Sequence, residues 1–259
     1  MPLKLMLWAL FVVPLWMLLV APLAHPDRPA LAFVGGVVVL TAAAFFADRR
    51  FGAPGPVRYV WPERRRWLGF AALAGIGITI LASDVGNVAS HLVNAPPDAP
   101  DPPDDPQGLA LKAAFFHAGL LLVVVGVAQR TLMALHRPWI AIGLAVLVSV
   151  MPTPAPLHLW PQWILLVGLP AWLFRHSRAV TLALVAYLPT IVMPLFDGFG
   201  LSLGIPGFDL IEPGSHVFQP VWFNLVGAGL VAAGIGPLLR DFDAIQREIE
   251  GVEPPGEAR

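Results

Sequence analysis

The sequence predicts an all-α protein, a polytopic transmembrane helix bundle of about eight spans with both termini cytoplasmic. Three observations lead there. Hydrophobic residues make up 57% of the chain, charged residues only 13%, and the mean hydropathy is +0.72. A soluble domain carries roughly 25% charged residues, so this chain lacks the means to coat itself for water. Apolar runs near the ~20 residues that a spanning helix needs recur along the chain. Lys and Arg collect in alternate connections, as the positive-inside rule requires.

The candidate spans lie near Leu3–Ala24, Ala30–Ala47, Trp67–Val93, Leu109–Leu135, Pro138–Met151, Trp160–Phe174, Ala179–Phe196 and Pro220–Leu239. The first could instead be a signal peptide, with Lys4 before its apolar run and Ala21–Ala24 near a cleavage site. The fifth and sixth are short and would span with little tilt. Arg49, Arg50, Arg58 and Arg64–Arg66 follow the second segment. Arg130 and Arg137 follow the fourth, Arg175 and Arg178 the sixth, and Arg240 the eighth. One transmembrane domain, residues 1–240, is therefore followed by a cytoplasmic tail, residues 241–259. The setting is the cell membrane and the surrounding partner is lipid. Other membrane subunits are candidate partners as well. A net charge of −1 gives no basic footprint for nucleic acid.

Prolines inside apolar runs, such as Pro14, Pro170 and Pro189, are compatible with membrane helices. Trp61, Trp67, Trp160 and Trp163 read as interfacial anchors. A tandem repeat of helical hairpins is suggested at 117–152 and 158–194. In each unit a His opens the first run, and Val-Met-Pro closes the second. The alternative is a chance likeness between two hairpins.

No cysteine is present, which excludes disulfides, thiolate metal sites and Cys nucleophiles. Five of the seven histidines, His25, His91, His117, His158 and His216, map to the outer side. Asp84, Asn87 and His91 are spaced i, i+3, i+7, hence on one helical face. An antiparallel hairpin of the third and fourth segments would bring His117 level with Asp84. Imidazole with carboxylate or amide suits copper among other metals, so Asp84, Asn87, His91 and His117 form the candidate copper site. The bland alternative is that Asp84 and His117 simply tie two helices together. His158, Asp197 and His216 are secondary candidates. The connection Asp197–Gln219 holds Asp197, Asp209, Glu212 and His216 among several glycines. It reads either as an ordinary outer loop or as a lid over the bundle.

Asn87-x-x-x-His91, followed across a loop by His117, is similar to an arrangement in the copper-binding membrane monooxygenase family of the particulate methane monooxygenase type. The likeness covers three residues in one hairpin. The intervening loop is longer here, and that family's neighbouring Asp-x-x-x-His set has no counterpart. An oxidase-type subunit or a metal-handling factor is one functional expectation. A structural or accessory subunit of a larger membrane complex, or a small transporter, is the other.

Overall fold

The computed structural model describes residues 61–95, 105–121, 156–210 and 217–250, with isolated positions between residues 125 and 146. Among the described residues the regular elements are all helices, without a strand. The helices are α1 (Arg66–Leu92), α2 (Pro106–Leu121), α3 (Trp160–Ser177), α4 (Val180–Gly198) and α5 (Val221–Glu250). A 3-10 turn, Leu157–Leu159, leads into α3. Four helices are long and apolar enough to cross a membrane: α1, α3 with its leading turn, α4, and α5 over Val221–Ile245. The first two segments lie outside the described residues, as does most of the fifth. The first repeat unit, 117–152, is also largely outside them, while 158–194 corresponds to the α3–α4 hairpin.

Helix α1 is the hub, packing against α5, α4 and α3. It does so through missing side chains. A Cβ at Gly75 would run into the Ala186 carbonyl of α4, and one at Gly77 into the Gly227 carbonyl of α5. Gly234 of α5 sits just as closely on the Phe70 carbonyl of α1. In lipid, where apolar burial gives helices no drive to associate, such close backbone approach supplies the packing. Two apolar clusters flank α1. One holds Trp67, Ala71, Leu173, Leu182 and Leu238, and the other Leu121, Val125, Leu166, Phe174 and Tyr187.

The helix ends pair up, and the pairing fixes direction. Where α1 begins, Arg64 Nη1 and Arg66 Nη2 lie 3.0 and 2.7 Å from Asp241 Oδ1 on α5. Trp67 Nε1 donates to Asp241 Oδ2 at 2.7 Å, and its ring meets Phe242 edge-on at 4.9 Å. The start of α1 therefore lies beside the far end of α5, and the two run antiparallel. Trp67 is only 2% exposed. It is a core residue tying two helices together, and the anchoring role expected of it is corrected. Trp61, 58% exposed, remains free to sit at an interface. The α3–α4 turn is short because Arg178 adopts a left-handed φ of 55°. Pro170 lies inside α3, and Pro189 and Pro194 inside α4, as the apolar runs around them predict.

Helix α2 departs from expectation. Its described residues, 106–121, pack chiefly on α4 rather than on α1. Gly198, at the end of α4, would place a Cβ against Ala110 and the Pro106 carbonyl.

Replacing Gly75 or Gly234 with Ala should lower thermal stability in detergent by about 1–3 kcal/mol, the usual cost of overpacking. Gly229→Ala is the control, because nothing lies within 4 Å of the added methyl. Equal melting temperatures for all three variants would refute the close-packed account of α1.

Candidate functional site

Asp84 lies two turns before the end of α1, half-buried. An ionised carboxylate at that depth must be paired or hydrogen-bonded. Both oxygens are engaged. The Gln219 backbone N–H donates to Oδ1 at 3.0 Å, and Asn224 Nδ2 donates to Oδ2 at 2.7 Å. These donors bracket the start of α5. One turn further along α1, Asn87 Nδ2 donates to the Gly207 carbonyl at 2.5 Å. Gln219, 5% exposed, donates through Nε2 to the Ile80 carbonyl at 3.1 Å. One face of α1 thus binds the connection between α4 and α5 at two points, Gly207 in its interior and Gln219 at its α5 end. Asp84 and Asn87 do share a face, as their spacing predicts.

The connection carries its own lock. The Asp209 carboxylate accepts from the Ser202 hydroxyl at 3.0 Å, the Ile205 N–H at 2.8 Å and the Leu203 N–H. Gly204 and Gly207 are left-handed, at φ 68° and 69°, conformations that glycine adopts without steric cost. Gly207 also sits tight against the Val217–Gln219 backbone, so a side chain would not fit there. Burial acts to raise the Asp209 carboxyl. The hydrogen bonds from Ile205, Leu203, Ser202 and Gly204 outweigh it and hold that carboxyl below the usual carboxylate range.

The described histidines on α1, α2 and the 3-10 turn have separate partners. His91 meets Phe218 edge-on at 5.3 Å. His117, on α2, stacks on Trp163 of α3 at 5.2 Å, and its Nδ1 lies 3.4 Å from the Tyr187 hydroxyl of α4. Among the described contacts, Asp84 meets Asn224 of α5 and Gln219 just before that helix, whereas His117 meets α3 and α4. His158 lies on the 3-10 turn, beside α1 and α3. Asp197 lies one residue before the end of α4. His216, Glu212 and His25 are outside the described residues. Among the described residues, no three His, Asp or Glu side chains gather as metal ligands would.

A second feature was not apparent in the sequence. A cavity of about 370 Å³ lies between α1 and α4 under the connection, walled by Ile76, Leu188, Val192, Met193 and Phe196. Asp197 and Asp209 also line it. The partners of Asp84 were missed too. Gln219 and Asn224 flank Pro220, and a lone acid in an apolar helix called for donors of that kind.

No family model matches this chain, and no curated protein or solved structure matches it.

Asp84→Asn replaces one acceptor with an amide N–H facing another donor. It should destabilise the protein by about 1–3 kcal/mol, read as a lower melting temperature. An unchanged melt would show that the two contacts do not hold the connection. For Asp209 the folded carboxyl is depressed, so its contribution is present above the unfolded pKa of about 3.9 and lost as pH falls through the lower folded value. Hydrogen-exchange protection of the Leu203 and Ile205 amides should therefore be flat from neutral pH to about 4 and decline below it. Asp209→Asn should remove it throughout, and protection that survives this change would contradict the lock.

Proposed function

We propose that this chain is a structural or accessory subunit of a larger membrane complex, with about eight spans in the cell membrane and both termini cytoplasmic. The observation that carries this reading is the use made of Asp84. The polar groups best placed for chemistry at that end, Asp84, Asn87, Gln219 and Asn224, are joined in closing the α4–α5 connection. A second observation supports it. Gly227 and Gly234 face α1, whereas Gly229 and Gly236 have nothing within 4 Å. Ala232 and Ala233 between them are also exposed. A small-residue face of this kind accommodates a further helix better than it accommodates lipid. The pairing of Arg64 and Arg66 with Asp241 suits the topology, since all three belong to the basic side.

Copper binding by Asp84, Asn87, His91 and His117 asks for more rearrangement. Asp84 would have to share oxygens already accepting two hydrogen bonds, and His117 would have to leave Trp163 for another helix.

Gentle extraction from native membranes should leave the chain in an assembly well above its own 27.8 kDa, read by native electrophoresis. Gly229→Leu with Gly236→Leu should release it as a folded single chain. A wild-type chain that migrates alone contradicts the reading. Stoichiometric copper that is lost in His117→Ala would favour metal handling instead.

A further inference from the structure

The cavity between α1 and α4 has a shape and a polarity that select an occupant. Its α4 wall runs from Val185 to Phe196, about 16 Å of helix, close to one leaflet of a ~30 Å hydrocarbon core. Its volume of about 370 Å³ falls within the ~300–1,000 Å³ of ordinary ligand pockets. Ala72 and Ile76 of α1 line the same apolar slot as Leu188, Val192 and Met193 of α4. Asp197 and Asp209 stand at the connection end of this apolar lining. From Asp197 to Gln219 the sequence contains Asp197, Asp209 and Glu212, and no Lys or Arg. Among the described residues the donors to Asp209, namely Ser202, Leu203, Gly204 and Ile205, are neutral and do not cancel its charge.

We propose that this groove binds one acyl chain of a phospholipid whose headgroup carries a primary ammonium, with the ammonium placed beside Asp197 and Asp209. An apolar slot one leaflet deep fits a chain and excludes a soluble polar ligand. A carboxylate pair at its mouth attracts an ammonium and repels an anionic headgroup. The same logic places the headgroup on the connection side of the bilayer. This site is separate from the Asp84 contacts and does not depend on the chain's being a subunit.

The test is native mass spectrometry of the full-length chain in detergent, titrated separately with phosphatidylethanolamine and phosphatidylglycerol of matched acyl chains. Ethanolamine lipid should be retained about fivefold more than the glycerol lipid, the size expected for one favourable charge contact near a membrane surface. Asp197→Asn should bring the two close to parity while leaving retention of the glycerol lipid unchanged or raised. Val192→Trp and, from the opposite wall, Ile76→Trp should each reduce retention of both lipids, with circular dichroism reporting that the variants fold. Equal retention of the two lipids by the wild type overturns the proposal. So does retention that neither tryptophan alters. A wild type that holds no lipid overturns it as well: a dimeric mass would then assign the groove to a second copy, and a monomer destabilised by both tryptophans would assign it to another segment of this chain.

Discussion

A single carboxylate in an apolar helix organises one end of this protein. Asp84 must find donors because its depth leaves it little water. It finds them at Gln219 and Asn224, on either side of the first residues of α5. That requirement brings the start of α5 to α1, and the α4–α5 connection with it. Asn87 then holds the Gly207 carbonyl of the same connection. At the opposite end Asp241 acts in mirror fashion, drawing Arg64, Arg66 and Trp67 to the far part of α5. Two carboxylates, one per helix, thus fix α1 and α5 at both ends. Between them Gly77, Gly227 and Gly234 let the backbones close.

The placement of the connection follows from these contacts. Asp209 folds residues 202–209 onto themselves, and Asn87 fastens that unit to α1. The groove between α1 and α4 is what remains beneath it. Pro189 shapes one wall, because it has no N–H to offer the Val185 carbonyl, and both residues line the space. The acid that compacts the loop therefore also sets the charge at the mouth of the groove.

Much of the architecture was legible in the chain. Hydropathy located the helices because lipid demands continuous apolar length, and α1, α3, α4 and α5 lie close to the runs that named them. The spacing of Asp84 and Asn87 placed them on one face, since helical periodicity is local. What was not legible is which helix packs beside which. Sequence order suggested that α2 would pair with α1, but close packing at Gly198 takes it to α4. His117 travels with it, to Trp163 and Tyr187. Asp84 drew attention toward histidines, whereas its partners are a backbone N–H and an amide, groups that carry no distinctive signal in an apolar chain. Trp67 likewise read as an anchor, because its position near Arg66 does not reveal Asp241, 174 residues away.

The central claim is that Asp84 fastens the start of α5 to α1. The most direct measurement is hydrogen exchange at the Gln219 backbone amide, comparing wild type with Asp84→Ala in detergent. The account predicts that this amide is protected in the wild type and exchanges much faster in the variant, with the interior of α1 still protected. A Gln219 amide that exchanges at the same rate in both would contradict it.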